Sequence, residues 1–412
     1  MSFLIIIIQI ILLDVIIVWG IKKTFLQFSS RYRKSIRNAF IITAAVSAMI
    51  VLIGYILQHQ VRDYRLFARC YYLFGLVFII YLSKSFYALS LIADYVISRP
   101  VRFLKPDRSR KSDLSHNPRH IVAKAGFWIS LSFVCLMIWG ILFGRYNFTV
   151  DRVDIVIDDL PPALQGYQIV QISDIHAGSF SGHAQRFQKT VDLINLQKPN
   201  LIVFTGDMVN NFAEEAAPLI PIFSQMVARD GKYAVLGNHD YGGYYKWKTP
   251  ADSAANHKTL ENAIGQMGFV LLNNQSVIID PAFALIGMEN WGIQKRHPKR
   301  GDLEKAMEAV RDIPFKLLLS HNPLVWREYV VRKTDIALTL SGHTHGMQIG
   351  VRLGGKRFSP ALLFRRHYPY GLGLYRIGNQ YLYVNRGLGV IGFPGRVGMS
   401  PEITVVTLRK GK

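Results

Sequence analysis

The stretch Tyr167-Gln-Ile-Val-Gln-Ile-Ser173, followed at once by Asp174-Ile-His176, decides the fold of this 412-residue chain. A short, mostly apolar run bounded by polar residues reads as a buried strand, and the carboxylate and imidazole just past its end sit on the loop that leaves it. The pattern recurs four times. Leu201–Thr205 precedes Gly206-Asp207, and Tyr233–Leu236 precedes Gly237-Asn238-His239-Asp240. Phe315–Ser320 precedes His321-Asn322-Pro323, and Ile336–Ser341 precedes Gly342-His343-Thr344-His345. Five strands are thereby expected to deliver polar residues to one edge of a sheet, where ligand sites of α/β sheets lie.

Between these strands the spacing predicts helices over Ala184–Leu196, Glu214–Ala228, Asn256–Met267 and Leu303–Val310, with Pro323 in the first turn of another. The result is an α/β domain over residues 145–412, long enough for a substantial core.

Taken singly, each polar block has an ordinary reading. Gly-Asp is a common turn, Asn-His can cap a helix, and a lone buried histidine is usually a hydrogen-bonded core residue. Jointly the blocks put carboxylate, imidazole and amide oxygen together at strand ends, and these donors hold hard or borderline divalent ions. The domain has no cysteine, so thiolate sites are excluded there.

The ordered set Asp-x-His, Gly-Asp, Gly-Asn-His-Asp, lone His and Gly-His-x-His resembles the calcineurin-like metallophosphoesterase superfamily. Gly342-His-Thr-His-Gly-Met-Gln348, Asn385-Arg-Gly-Leu-Gly389 and Pro401-Glu-Ile403 look like its membrane-anchored bacterial branch. The resemblance implies a four-layer α/β/β/α sandwich and two divalent ions, manganese first, with zinc or iron as alternatives. Asp174, His176, Asp207 and His345 would hold one ion, and Asp207, Asn238, His321 and His343 the other, with Asp207 bridging. A hydroxide held between the ions would attack phosphorus in line. His239 matches the family's catalytic imidazole, and Asp240 is the candidate to orient its ring. Asn210 and Asn211 are weaker supporting candidates.

The first third of the chain is different in kind. Four apolar runs, Phe3–Gly20, Ala39–Leu57, Tyr71–Ile97 and Ala125–Phe143, are each near the length that crosses a bilayer, so residues 1–144 read as a membrane domain of four transmembrane helices. The first run lacks a basic stretch before it and a small-residue cleavage site after it, which argues against a removable signal peptide. Residues 1–144 hold 18 Lys and Arg against 5 Asp and Glu. These cations concentrate in the first connector (Lys22, Lys23, Arg31, Arg33, Lys34, Arg37) and in the third, around the polar stretch Lys105–Arg119, and the positive-inside rule puts both in the cytoplasm. The catalytic domain would then lie on the periplasmic or external face of a bacterial inner membrane. Asp14, Lys84 and Asp94 fall within or near the ends of the apolar runs and read as interhelical partners.

The expected activity is hydrolysis of a phosphoester at the membrane, with a lipid-linked or envelope phosphodiester or pyrophosphate as substrate. A phosphomonoesterase or nuclease of the same superfamily, or a non-catalytic sensor or transport protein, are the alternatives. A degenerate sensor should have lost ligands, and none is missing. The positive charge of the domain is spread along the chain without a nucleic-acid module, which speaks against a nucleic-acid partner. Membrane lipids are the expected neighbours. The loop Val351–Leu374 combines Arg352, Lys356, Arg357, Arg365 and Arg366 with aromatic side chains, a composition suited to an anionic lipid headgroup.

Overall fold

The computed structural model describes residues 3–24, 29–60, 63–104, 120–292, 299–354, 356–360 and 369–411. The loop Lys105–Arg119, and Leu362, Leu363, Phe364, Arg365, Arg366 and Tyr368 of the basic and aromatic loop, lie outside these residues. The chain divides into two compact units, one of Met1–Val61 with Cys70–Trp139, the other chiefly Gly140–Lys412.

The first unit is helical: α1 (Phe3–Thr24), α2 (Ser30–Gln60), α3 (Tyr64–Leu104) and α4 (Ile121–Leu142). Three spans, Ser30–Gly54, Tyr64–Ile97 and Ile121–Tyr146, are long and apolar enough to cross a membrane. The expected first crossing is also a helix, of 22 residues. Ile42, Met49 and Leu52 of α2 face outward, as lipid-facing residues do. Inside the unit Lys84 of α3 meets Asp14 of α1 at 2.6 Å, and Tyr81 donates to the same carboxylate at 2.8 Å. His120 and Asp94 stand 2.9 Å apart.

In the second unit the strands are β1 (Thr149–Ile157), β2 (Gln168–Ile172), β3 (Leu201–Phe204), β4 (Lys232–Ala234), β5 (Val270–Leu271), β6 (Gln275–Asp280) and β7 (Phe283–Gly287). They continue with β8 (Phe315–Leu319), β9 (Leu338–Ser341), β10 (Val351–Leu353), β11 (Lys356–Phe358), β12 (Gly373–Ile377), β13 (Gln380–Val384) and β14 (Glu402–Lys410). Two six-stranded sheets form, in the orders β1-β14-β2-β3-β4-β5 and β12-β13-β9-β8-β7-β6, with β10 and β11 as a separate hairpin. The five motif strands are thus shared between two sheets: β2, β3 and β4 lie in one, β8 and β9 in the other. A run of apolar residues identifies a buried strand but not its partner, because a strand covered on both faces has no alternation to read.

Alternate side chains define the layers. Ile169, Leu201 and Val203 of the first sheet pack with Phe283, Leu285, Phe315, Leu317 and Leu340 of the second in one core. Their neighbours Val170, Ile172, Ile202 and Phe204 point the other way, toward Val191 and Ile194 of α5 (Gln188–Asn195), Ile222 and Phe223 of α6 (Ile220–Phe223) and Leu260 and Ile264 of α7 (Pro250–Gln266). Ala284, Ile286 and Leu318 face Leu303 and Ala306 of α8 (Leu303–Met307) and Trp326. The order is helix, sheet, sheet, helix.

Local sequence explains most helix ends. Thr249 accepts from the Asp252 amide and Asp252 answers at the Thr249 amide, closing a capping box before α7. The expected helix over Glu214–Ala228 is instead three short turns, Ala213–Glu215, Ala217–Leu219 and Ile220–Phe223. Pro218 and Pro221 each remove an amide donor and interrupt the ladder.

Candidate metal centre

The loops leaving β2, β3 and β4 meet those leaving β8 and β9. Backbone bonds lock them: Asp174 N to Gly206 O (2.8 Å), Ile175 N to Asp207 O (2.8 Å) and Gly342 N to His321 O (3.1 Å). The two sheets are joined where the His343 amide donates to both oxygens of Asp174 at 3.0 Å. Asp174, His176, Asp207, His343 and His345 all have positive φ, between 47° and 76°. Such conformations cost about 1–2 kcal/mol each for an L-residue, and five among seven candidate ligands is strain collected at one site. Gly237 has no side chain for a steric reason: a Cβ there would stand 2.2 Å from Asp207 Oδ1.

Seven candidate residues converge. Asp174, His176 and His345 form one cluster and Asp207, His321 and His343 another, with all ligand atoms of each within 4.8 Å of one another. His176 Nε2 lies 3.0 Å from His345 Nε2 and 3.6 Å from Asp207 Oδ2. His321 Nε2 lies 3.1 Å from Asp207 Oδ2, 3.1 Å from Asn238 Oδ1 and 3.1 Å from His343 Nδ1. His345 Nε2 stands 3.3 Å from Asp174 Oδ1. A single oxygen, Asp207 Oδ2, therefore faces imidazoles of both clusters.

Outer partners set the tautomers. His321 Nδ1 donates to the Thr205 carbonyl at 2.8 Å, so in the neutral ring Nε2 carries its lone pair inward. His176 Nδ1 faces Asn210 Oδ1 at 3.0 Å, with the same consequence. Burial drives His176 down to about 3, with the His239 charge adding to the effect; burial also lowers His239, and together with His176 it holds His345 well below the usual range. Neutral imidazole is the ligand form. Asp207 is buried, which opposes its charge, yet His321 and His239 hold its carboxyl well below the usual range. For Asp174, burial, with the Asp207 charge adding, raises the carboxyl to about 6. His321 rises to about 9: burial disfavours its charge, but Asp207 and Asp174 outweigh it. Lone pairs and carboxylates are aimed at a common space. The donor set fits two divalent ions.

His239 is placed beside this cluster. Its amide donates to Asp207 Oδ1 (2.8 Å), its Nδ1 to the Asn210 carbonyl (2.9 Å), and Tyr244 stacks on it with ring centroids 4.2 Å apart. The expectation that Asp240 orients this ring needs correction. The Asp240 carboxylate instead accepts from the amides of Asp207, Met208, Val209 and Gly237 at 2.8–3.2 Å. It points back into the turn because those amides have no other acceptor, and the backbone carbonyl of Asn210 does the orienting. Glu215 is a second carboxylate of this kind, accepting from Gly178, Asn210, Asn211 and Phe212. Burial pushes both Asp240 and Glu215 up to about 7, against the pull of their amide donors.

Glu215, Tyr244 and Arg396 were not expected from the sequence. Arg396 lies buried with Nη2 3.4 Å from His345 Nδ1 while donating to the carbonyls of Gly389, Met399 and Arg386. The Asn385–Gly389 motif gains a physical meaning: Leu388 and Gly389 donate to the carbonyls of Ser173 and Asp174, and a Cβ on Gly389 would stand 2.0 Å from Ile175 O. That loop buttresses the Asp-x-His loop.

A two-sheet sandwich with clustered carboxylate and imidazole at one edge defines a metal-dependent hydrolase. The chain belongs to the calcineurin-like phosphoesterases: residues 167–347 match the family model. It is similar to "Uncharacterized metallophosphoesterase YkuE" of Bacillus subtilis (strain 168), 34% identical over 61% of this chain and 82% of that protein. It is also similar to "Transmembrane protein with metallophosphoesterase domain" of Danio rerio, 28% identical over 67% of this chain and 60% of that protein. A third relative is "UDP-2,3-diacylglucosamine pyrophosphatase LpxG" of Chlamydia trachomatis serovar D, 28% identical over 55% of this chain and 79% of that protein. The chain is a hydrolase acting on phosphoesters, and its apolar helices associate it with a membrane.

Proposed function

We propose that the chain is a two-metal phosphodiesterase of the membrane, cleaving a lipid-linked or envelope phosphodiester or pyrophosphate, with residues 1–144 as the membrane domain and residues 145–412 as the catalytic domain. The observation that carries the reading is Asp207 Oδ2, within 3.6 Å of His176 Nε2 and 3.1 Å of His321 Nε2. One carboxylate between two imidazole clusters is the arrangement that shares a ligand between two ions. Asp174, His176 and His345 complete the first site, and Asn238, His321 and His343 the second. When bound, such a pair of ions makes water nucleophilic at neutral pH and neutralises phosphoryl oxygens.

His239, tied through Nδ1 to the Asn210 carbonyl, keeps Nε2 as the nitrogen that would take a proton from the attacking water and pass it to the leaving oxygen. Asp240 acts earlier in the chain of support, fixing the Asp207 turn. Manganese is the proposed metal, since a mixed carboxylate and imidazole set suits it, with zinc or iron as alternatives. A lipid-linked diester or anhydride is supported by the helices and by the chlamydial relative, a UDP-2,3-diacylglucosamine pyrophosphatase. The Lys and Arg of the first and third connectors support a bacterial inner-membrane protein with its catalytic domain outside.

The test is hydrolysis of a chromogenic phosphodiester and its matching monoester by the detergent-solubilised full chain, stripped of metal and resupplied with manganese, zinc or iron. Restored turnover with the diester preferred is expected; preference for the monoester would sink the diesterase reading. A periplasm-dependent reporter fused after Lys412 should be active, and activity only of a cytoplasmic reporter would reverse the topology.

A further inference from the structure

We propose that Tyr244 is a positioning residue that holds two consecutive site residues at once: the Asn238 amide for the second ion and the His239 ring beside it. This rests on the two-ion reading above. Asn238 points Oδ1 into the cluster, 3.1 Å from His321 Nε2, and on its outer side Nδ2 donates to the Tyr244 hydroxyl at 2.8 Å. A side-chain amide is a weak neutral ligand free to swing about its Cβ–Cγ bond, and a fixed partner on nitrogen both stops that rotation and polarises the oxygen toward a cation. The same phenol ring lies flat on His239, with centroids 4.2 Å apart and 17° between planes.

The chain on either side of Tyr244 is held. Phe212 packs edge-on against Tyr245 (4.9 Å) and Trp247 (5.8 Å), and Trp247 Nε1 donates to the Gly242 carbonyl at 2.9 Å. Tyr244 thus stands in a loop whose next residues, Tyr245 and Trp247, are packed on Phe212. A hydroxyl and a ring face then act separately: the hydroxyl on Asn238, the face on His239.

The two contributions separate by substitution in the full-length protein. Tyr244→Phe keeps the ring and removes the hydroxyl; Mn2+ titration by calorimetry should show the second ion bound about tenfold more weakly, in the range usual for loss of an outer-sphere partner. Tyr244→Leu should add a several-fold fall in kcat at saturating metal, and that extra fall should vanish in a His239→Ala background. The affinity loss of Tyr244→Phe should likewise vanish in an Asn238→Ala background. Tyr244→Phe binding the second ion within twofold of the parent, or losing affinity equally in both backgrounds, overturns the inference while the two-ion reading stands. A parent protein that binds fewer than two Mn2+ overturns both.

Discussion

Buried charge is handled in opposite ways in the two units. Among the helices, Lys84 and Asp14 stand 2.6 Å apart with the Tyr81 hydroxyl on the second oxygen, so the charges cancel within the unit. In the catalytic unit Asp174 and Asp207 are buried among imidazoles, with ring nitrogens of His176 and His345 3.0 Å apart and of His321 and His343 3.1 Å apart. A paired charge ties two helices together; a convergence of carboxylate and imidazole donors is the arrangement that holds cations. The difference separates a structural use of buried charge from a functional one.

The largest effect expected from breaking this contrast is at Asp207. Asp207→Asn removes the shared charge, so metal analysis should show both ions lost, with turnover down about a thousandfold or more; near-normal metal content would contradict the bridging role. Next comes His239→Ala, which should lower kcat on the order of a hundredfold with both ions still bound. Parental turnover in that variant would remove the imidazole from the reaction. In the helical unit, Lys84→Met alone should destabilise by about 3–5 kcal/mol, because it leaves Asp14 buried without its partner. The double substitution Lys84→Met with Asp14→Leu should restore most of the thermal stability in detergent, and phosphoesterase activity should stay normal. If activity falls in the stable double variant, the pair is functional and the contrast fails.

The smallest effect is at a mixed case. Asp151 is half-buried and receives Arg357 at 2.6 Å and Arg386 at 3.0 Å, and Arg386 also pairs with the buried Glu402. Burial raises the Asp151 carboxyl, but Arg386 and Arg357 outweigh it and hold it below the ordinary range. A lowered folded pKa means stability present above the unfolded value, about 3.9, and lost as pH falls through the folded one. Asp151→Asn should therefore cost about 1–2 kcal/mol at neutral pH and flatten the acid limb of the melting curve below about pH 4. An unchanged acid limb would mean that other carboxylates set it.

Much of the candidate site was legible because carboxylate and imidazole blocks follow strand ends and their order resembles a known family: the structure brings Asp174, His176, Asp207, Asn238, His321, His343 and His345 together. Asp240 was read as a ring-orienting group because it follows His239, yet adjacent residues on a tight turn point in different directions. Tyr244 lay six residues past Asn238 in a loop with no period to read. Glu215 carried no signal, since a carboxylate collecting four amides looks like any surface glutamate in one dimension.

The sequence alone determined the local facts: which runs are buried strands, which are long apolar helices, where prolines cut a helix, and which side chains bear ligand chemistry. These follow from side-chain type and spacing over a few residues. Only the tertiary structure decided which strands share a sheet, that Asp207 faces imidazoles from both clusters, and that backbone carbonyls of Thr205 and Asn210 set the histidine tautomers. Those facts depend on residues 29 to 169 positions apart meeting at a few ångströms, and such meetings are fixed by the packing of the whole core rather than by any short stretch of chain.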